Sequence, residues 1–362
     1  MFRKLLTALC IYSCIWAFDA TIPVLNLEDY HNPETNEEFL YQLEEAASTS
    51  GFFALTGVKL NPKLLDDAYE QFKQFFHAPL EIKRFYDGSS VGGQRGYVKG
   101  ESAKGDSRMD FKEFFHIGPD LTEEEAQVRK VYPNIWPKED FPKFKPCVSR
   151  LYKALQICAR PLEKAFSILL GENEGFLSSM TKHSDTLMRA LHYPAAPPKN
   201  SIWAAEHTDI NLFTILPRAT AKGLQVKNKE GKWIDVIVPE GAFIINVGDM
   251  LENLSNGFFK SAKHRVVDPG QKEERFSVVY FFHGNIDANM SPLSYMIKKT
   301  GGERLYPIAT VKELLYERLI DLGLATPQMM EEFVEGSAIQ RFEEVDRFSS
   351  KAEAALKEKG YL

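Results

Sequence analysis

The sequence predicts an α+β fold in which helices from both ends of the chain pack against a β-rich core. Residues 21–182 and 291–362 are dominated by apolar residues at helical spacing. Residues 183–290 instead contain short runs rich in β-branched and aromatic residues, separated by turn-forming clusters at spacings of roughly ten to twenty residues. Such spacing is typical of a sandwich or barrel. A single fold, with a jelly-roll core flanked by N-terminal and C-terminal helices, is the simplest interpretation.

The N-terminal part begins with alternating strands and helices. Patterns of apolar residues predict strands over 21–27 and 52–58, and helices over 36–49 and 62–76. Residues 87–110 are rich in Gly, Ser and charged side chains, so we expect a long surface loop there. Loops of that length in a compact fold are often functional.

Three further helices are expected before the β-rich core, near 122–130, 146–170 and 173–182. A proline inside a helix removes a hydrogen bond and clashes with the preceding turn. We therefore expect the middle helix to be interrupted or kinked at Pro161.

Short strands are predicted throughout the core, and helices follow it. Helical periodicity returns over 311–322 and 338–359. The predicted core strands are 187–193, 203–216, 223–226, 233–238, 242–247, 264–267 and 276–283.

Composition limits the classes of partner. The formal net charge is −6, and no basic cluster stands out, so we expect no nucleic-acid binding. A small-molecule partner is compatible with this charge, although an anionic one would need a local group of positive side chains. Nothing in the sequence indicates the oligomeric state.

Residues 1–20 differ from the rest of the chain. Arg3 and Lys4 precede an apolar run at 5–17, which as a helix would be roughly 20 Å long. That is too short to cross a hydrocarbon core of about 30 Å, so we expect no stable membrane span. A positive start, a short apolar run and a small residue predict a signal peptide, and hence export to the periplasm or the exterior.

The cysteines favour the alternative, a cytoplasmic protein. Beyond the leader the chain has Cys147 and Cys158, which lie on one predicted helix about 16 Å apart. A disulfide requires Cα atoms less than roughly 7 Å apart, so these two should not bond. A mature chain without disulfides suits a reducing compartment.

His207 and Asp209 are the first candidate metal ligands. In a strand, residues i and i+2 project to the same face, so an imidazole and a carboxylate at this spacing can reach one metal ion. A second such pair, His183 and Asp185, lies in a polar segment without strand alternation. His207 opens an apolar run typical of a half-buried strand, and we therefore favour the first pair.

His264 is the predicted third ligand, and Arg275 with Ser277 forms a predicted anion site. Two histidines and one carboxylate are a ligand set for iron(II). Arg275 and Ser277 share a face of a later strand, where a guanidinium and a hydroxyl can together bind a carboxylate. The alternatives are a hydrogen-bonded core histidine and a structural salt bridge.

Together these residues resemble the iron and cosubstrate pattern of the iron(II)/2-oxoglutarate-dependent oxygenases. More narrowly, the chain resembles their isopenicillin N synthase-like branch over residues 21–320. Further segments similar to that branch are 51–53, 134–137, 223–226, 241–249 and 255–261.

The resemblance implies a double-stranded β-helix and a role for each candidate residue. Iron(II) would be bound by His207, Asp209 and His264, while Arg275 and Ser277 would hold the distal carboxylate of 2-oxoglutarate. The implied enzyme is a non-haem dioxygenase that uses 2-oxoglutarate and O2 as cosubstrates. It would hydroxylate or desaturate a small molecule and release succinate and CO2.

Tyr193 matches a tyrosine of the family's Tyr-Pro motif that often assists in binding 2-oxoglutarate. The chain departs from the family pattern at Leu191, where many relatives have an asparagine. His192 is expected either to face the pocket or to pack at the strand end. His77, His116 and His283 are expected at the ends of elements. Lys112 and Glu113 are interpreted first as structural ion-pair residues and second as substrate contacts.

Two kinds of alternative remain open. Oxidases of the same fold that do not use 2-oxoglutarate, similar to isopenicillin N synthase or aminocyclopropane-carboxylate oxidase, retain a similar Arg-x-Ser pair. An enzyme forming ethylene and succinate would share the scaffold as well. From another class, a non-catalytic jelly roll would bind a carboxylate and a different divalent metal such as zinc or manganese. Export would favour that last protein, because 2-oxoglutarate and iron(II) are chiefly intracellular.

Overall fold

The computed structural model of the protein describes residues 21–100, 110–199, 201–270 and 272–362. The predicted signal peptide at 1–20 lies outside these ranges and stays a prediction. Across the part of the chain that is described, no helix is long and apolar enough to cross a membrane.

Twelve strands of the described chain form two sheets. Numbered along the chain, the strands are β1 Val24–Asn26, β2 Phe52–Thr56, β3 Gly96–Lys99, β4 Glu113–Ile117, β5 Leu187–Tyr193, β6 Ala204–His207, β7 Phe213–Leu216, β8 Leu224–Lys227, β9 Trp233–Asp235, β10 Phe243–Val247, β11 His264–Val266 and β12 Arg275–Phe282. Eight strands form the larger sheet, in the order β1-β2-β10-β7-β12-β5-β4-β3. Four strands form the smaller sheet, in the order β6-β11-β8-β9.

Helices cover the larger sheet on the side away from the smaller one. The long helix Phe144–Leu169 packs beside the helix Pro62–Phe76, and both contribute to the main core. The helices are α1 Leu27–His31, α2 Asn36–Thr49, α3 Pro62–Phe76, α4 Leu80–Arg84, α5 Glu123–Val128, α6 Phe144–Leu169, α7 Phe176–Thr181, α8 Asp249–Leu254, α9 Ser294–Lys299, α10 Val311–Leu322, α11 Pro327–Glu335, α12 Ala338–Glu343 and α13 Ser350–Glu358.

Strand alternation divides the apolar side chains of the larger sheet between two cores. On β2, Phe53 packs with the helices, whereas Phe52 and Ala54 face the smaller sheet. On β12, Val278 packs with the helices, whereas Val279 faces the smaller sheet. Because successive side chains of a strand point to opposite faces, one sheet supports both a helix-covered core and an inter-sheet core. The site described below lies in the inter-sheet core.

Several predicted elements match the structure to the residue. The ranges 36–49, 62–76, 187–193 and 311–322 are those of α2, α3, β5 and α10. Asn61 shows why α3 begins where it does, because its side chain accepts a hydrogen bond from the backbone N–H of Lys63 and Pro62 occupies the first turn. The predicted α+β jelly roll is confirmed.

The predicted first strand over 21–27 was too long. The strand ends at Asn26, whose side chain accepts a hydrogen bond from the backbone N–H of Glu28 and so caps α1. Glu28 and Asp29 add negative charge to the first helical turn, which favours the helix.

The predicted loop at 87–110 contains a strand, and the prediction of an uninterrupted loop was therefore wrong. Gly96–Lys99 forms β3, which pairs with β4 at one edge of the larger sheet. Neither strand was predicted, because β3 is stabilised by pairing with β4, and β4 by pairing with β5, rather than by their own sequence patterns. Residues 101–109 lie outside the described ranges.

Pro161 does not interrupt its helix, since α6 runs through it from Phe144 to Leu169. The carbonyl that a residue at 161 would otherwise bond belongs to Ile157, which is 63% exposed. Solvent near that turn lowers the cost of the missing hydrogen bond, and packing of the apolar face stabilises the rest of the helix.

Two other predicted elements are divided. The run at 203–216 forms β6 and β7 with a turn between them, and the run at 338–359 forms α12 and α13. Asp346 has a φ of 53° between the two helices, and the side chain of Ser349 caps the second one.

Candidate active site

Pairing of β6 with β11 brings two histidines together. His207 and His264 are direct partners across this antiparallel pair, and their ring centroids are 4.3 Å apart. Asp209 follows β6 in the turn before β7, and its Oδ1 lies 3.8 Å from the Nε2 atom of each ring. The strand-based argument for the His-x-Asp spacing was therefore wrong in detail, since the carboxylate approaches from a turn. The three side chains still converge on one point.

Backbone carbonyls orient both imidazole rings. Nδ1–H of His207 donates to the carbonyl of Ala205 at 2.7 Å, and Nδ1–H of His264 donates to that of Ala262 at 3.2 Å. A carbonyl oxygen only accepts, so each Nδ1 carries the hydrogen and each Nε2 keeps a lone pair. Both lone pairs therefore face the Asp209 carboxylate, in the arrangement that a metal ion requires.

Neutral side chains hold the Asp209 carboxylate. Its Oδ2 accepts hydrogen bonds from Thr214 Oγ1 at 2.6 Å and from Asn246 Nδ2 at 2.9 Å, which leaves Oδ1 directed at the histidines. Burial by itself would raise the pKa of Asp209, but the two histidines and these two hydrogen bonds lower it. The group is thus ionised at neutral pH.

The protonation state of His207 also suits a metal ligand. Removal of water from the ring and, to a smaller extent, the nearby His264 together lower the pKa of His207 to about 3, although Asp209 opposes the shift. A neutral imidazole is the form that binds metals. Two neutral imidazole nitrogens and one carboxylate, all in a largely buried pocket, fit iron(II).

The competing pair, His183 and Asp185, has a structural role. His183 lies in the turn between α7 and β5 with a φ of 63°, and Asp185 forms an ion pair with the buried Arg95. Neither belongs to a group of possible metal ligands among the described residues. The preference for His207 is consistent with this geometry.

Arg275 and Ser277 line the same cavity from the larger sheet. Arg275 is 1% exposed; its Nη1 donates to Ser277 Oγ at 3.1 Å and its Nε donates to the carbonyl of Ala221 at 3.2 Å. No carboxylate among the described residues forms a salt bridge with Arg275. A buried guanidinium without an anion is costly, so its position indicates that a ligand supplies the negative charge.

Tyr193 lies directly beside this guanidinium. It is the β5 partner of Arg275, and its ring centroid is 5.0 Å from the guanidinium carbon. The Trp203 ring packs against the Tyr193 ring, with centroids 5.6 Å apart. Tyr193 therefore fixes the position of Arg275 through a cation–π contact. His192 points to the opposite face of the sheet, so of its two predicted positions the one facing the pocket is wrong.

A cavity lies between the sheets, with about 570 Å³ of empty space when the part open to solvent is included. Arg275 and Tyr193 lie at one end, and Arg189, four residues before Tyr193 on β5, lies toward the other, where its Nε donates to Nε2 of His116 at 2.6 Å. Lys112 also lines the cavity. Apolar side chains form most of the wall between these ends: Phe52, Leu191, Leu216, Leu224, Ile244, Val266, Val279 and Phe281.

Thr214 and Asn246 were not identified as site residues from the sequence. Both are polar residues within otherwise apolar strands, Phe213–Leu216 and Phe243–Val247, and both are buried. A buried polar side chain in a strand needs a hydrogen-bond partner, and that requirement was the available signal.

Comparisons with known proteins agree with this geometry. Residues 22–139 match the family of the N-terminal region of the non-haem dioxygenase in morphine synthesis, and residues 184–284 match the 2OG-Fe(II) oxygenase superfamily. A 2-oxoglutarate-Fe(II) type oxidoreductase of Aspergillus fumigatus is 31% identical over 309 residues, which are 82% of this chain and 91% of that protein.

Solved structures show the same fold. A 2OG-Fe(II) oxygenase family protein from Caulobacter crescentus is 32% identical with a TM-score of 0.74, over 83% of this chain and 98% of that one. A full-length Neurospora crassa protein, solved in complex with alpha-KG (2-oxoglutarate), is 25% identical with a TM-score of 0.73, over 82% and 95%. Sequence, fold and ligand geometry thus lead to one assignment: the chain belongs to the 2OG-Fe(II) oxygenase superfamily and is an Fe(II)- and 2-oxoglutarate-dependent dioxygenase.

Proposed function

We propose that Arg275, assisted by Ser277, binds the distal carboxylate of 2-oxoglutarate while His207, Asp209 and His264 hold Fe(II). The observation that supports this assignment is a fully buried guanidinium that faces the metal triad across one cavity without a carboxylate partner among the described residues. A dicarboxylate spanning the cavity would neutralise the guanidinium at one end and reach the metal at the other.

The charges of the filled site balance. Fe(II) carries +2, Asp209 −1, 2-oxoglutarate −2 and Arg275 +1, so the charges of these four groups sum to zero. Of the two other cations that line the cavity, Lys112 forms an ion pair with Asp110, and Arg189 lies outside this sum. Thr214 and Asn246, which donate hydrogen bonds to Asp209, are neutral and leave this sum unchanged. A neutral assembly is what a cavity with largely apolar walls can accommodate at low cost.

When bound, Fe(II) supplies the activation of O2, which this enzyme class couples to decarboxylation of 2-oxoglutarate to succinate and CO2. The chain's own side chains bind, orient and exclude water. Thr214 and Asn246 hold Asp209, Tyr193 holds Arg275, and the apolar wall keeps water from the reacting groups.

The substrate is proposed to be a small organic molecule that is hydroxylated or desaturated. The mostly apolar wall suits a substrate with a carbon skeleton, which an oxidation of this kind requires. Membership of the isopenicillin N synthase-like branch and export of the mature chain remain predictions.

The test is release of succinate by anaerobically purified protein supplied with Fe(II), 2-oxoglutarate and O2. A panel of amino acids, small acids and aromatic compounds should contain compounds that stimulate succinate release above the uncoupled rate. Substrate oxidation with O2 uptake but no consumption of 2-oxoglutarate would instead identify an oxidase of the same fold. The same protein loaded with Zn²⁺ is the control and should release no succinate.

A further inference from the structure

A second group of two histidines and one carboxylate lies on the other face of the β5–β12 pair. His192 and Glu274 immediately precede Tyr193 and Arg275, so strand alternation directs them away from the cavity. His77 ends α3 and reaches the same place from the helical layer. Three elements that are distant in the chain therefore meet at this group.

The donor atoms of the group are close together. Nε2 of His77 lies 2.8 Å from Oε2 of Glu274, and Nε2 of His192 lies 3.0 Å from that same oxygen. The three donor atoms fall within 4.8 Å of one another. His192 is buried, whereas the side chains of His77 and Glu274 are 52% and 38% exposed, so water can complete a coordination sphere.

Glu113 orients His192 from behind. Nδ1 of His192 lies 2.8 Å from Oε1 of Glu113, and the ring stacks on Phe276 with centroids 4.6 Å apart and planes at 9°. Glu113 is itself held in place, because it accepts hydrogen bonds from Lys83 Nζ at 2.7 Å and from the Tyr97 hydroxyl at 2.5 Å. A carboxylate on one ring nitrogen, with the other nitrogen directed at a cation, is the usual second shell of a metal-binding histidine.

We propose that His77, His192 and Glu274 form a second metal site, suited to Zn²⁺ with water as the fourth ligand. Two imidazole nitrogens and a glutamate are a ligand set that zinc uses, with the open position taken by water. The site is independent of the catalytic triad, because the larger sheet separates the two groups. Its ion would link the end of α3 to β5 and to the residue before Arg275.

The competing interpretation is that both imidazoles only donate hydrogen bonds to Glu274. In that case Zn²⁺ would have no affinity for the group beyond that of any exposed histidine. Zinc binding to protein whose catalytic triad has been removed separates the two interpretations.

The experiment is equilibrium dialysis of the full-length protein against Zn²⁺ in a background carrying His207→Ala and His264→Ala. This background should bind one more equivalent of Zn²⁺ than the same protein with His77→Ala added. His31 is exposed on α1 and lies outside the group, so His31→Ala in the same background is the matched control. This control should bind as much Zn²⁺ as the background itself. Equal binding with and without His77→Ala would overturn the proposal.

Two further measurements test the geometry. Co²⁺ in place of Zn²⁺ should give the strong visible absorption of a four-coordinate ion, and His77→Ala should remove it while His31→Ala should not. Glu113→Gln should raise the Zn²⁺ Kd by about 10- to 100-fold, because the carboxylate that orients the His192 ring is lost. An unchanged spectrum in His77→Ala would contradict the assignment. Failure of the catalytic proposal would appear separately, as absence of succinate release by the unmodified chain.

Discussion

The catalytic triad and the His77–His192–Glu274 group each consist of two imidazoles and one carboxylate, but in different surroundings. In the triad, the imidazoles donate to backbone carbonyls and Asp209 accepts from neutral side chains. In the second group, one imidazole is held by the ionised Glu113, and two of the three ligands are substantially exposed.

The difference shows what turns a set of ligands into a reaction centre. The triad faces a cavity between the sheets with a cation at its far end, so a metal ion held there would have open positions on the side where we propose that the cosubstrate binds. The second group faces solvent, so its remaining position is directed at water. We expect the first to support oxidation chemistry and the second to link structural elements.

The largest expected effect separates the two His-x-Asp pairs. His207→Ala should abolish succinate release, because it removes one of three protein ligands to Fe(II). His183→Asn is the matched control, since asparagine tolerates the left-handed conformation observed at that position. The measurement is succinate formed per enzyme. Retained activity in His207→Ala, or loss in His183→Asn, would reverse the assignment of the ligands.

The next largest effect concerns the far end of the cavity. Arg275→Ala should raise the KM for 2-oxoglutarate by about 10- to 100-fold, which corresponds to losing a charge-assisted hydrogen bond. Arg218→Ala is the control, because that guanidinium pairs with Asp66 at the surface. Steady-state kinetics with varied 2-oxoglutarate provide the measurement. A change in kcat alone, with KM unaltered, would argue against a carboxylate at Arg275.

A smaller effect tests the neutral second shell of the triad. Thr214→Val removes the hydroxyl that donates to Asp209 while keeping the shape of the side chain. We expect the Fe(II) Kd to rise by at least about 10-fold, and Thr214→Ser, which keeps the hydroxyl, to remain close to the original. Metal titration monitored by activity and by direct binding distinguishes weak iron binding from a folding defect.

The smallest effect is a pH dependence of stability from a histidine that binds no metal in either group. Removal of water from His283 lowers its pKa to about 4 in the folded protein, although Asp209 opposes the shift. The unfolded chain binds a proton at this residue below about pH 6.5, whereas the folded chain does not. Its contribution to stability is therefore present above pH 6.5 and is lost as the pH falls toward 4.

The corresponding measurement is the Tm of the metal-free protein between pH 7 and pH 4. The Tm of the His283→Gln variant should fall less steeply than that of the unmodified protein as the pH is lowered. His31→Gln should follow the unmodified curve, because His31 is exposed. Parallel curves for His283→Gln and the unmodified protein would show that the imidazole at 283 does not titrate differently on folding.

The residues of the candidate site were largely predictable from the sequence, and the residues that support them were not. His207, Asp209, His264, Arg275 and Ser277 stand in short local patterns whose chemistry is specific. Thr214 and Asn246 are ordinary polar residues in the sequence, and only their burial beside Asp209 shows what they do. The residues that hold a metal ligand in place come from whichever element packs beside that ligand, so local sequence patterns carry little information about which residues they are.

The sequence by itself determined the class of fold, the donor types and the order of the helices and core strands, because these follow from periodicity and side-chain chemistry. Only the tertiary structure decided that Asp209 acts from a turn, that β3 and β4 extend the larger sheet, and that His77, His192 and Glu274 meet. These outcomes depend on contacts between residues far apart in the chain, and such contacts are settled by the packing of whole elements rather than by local preference.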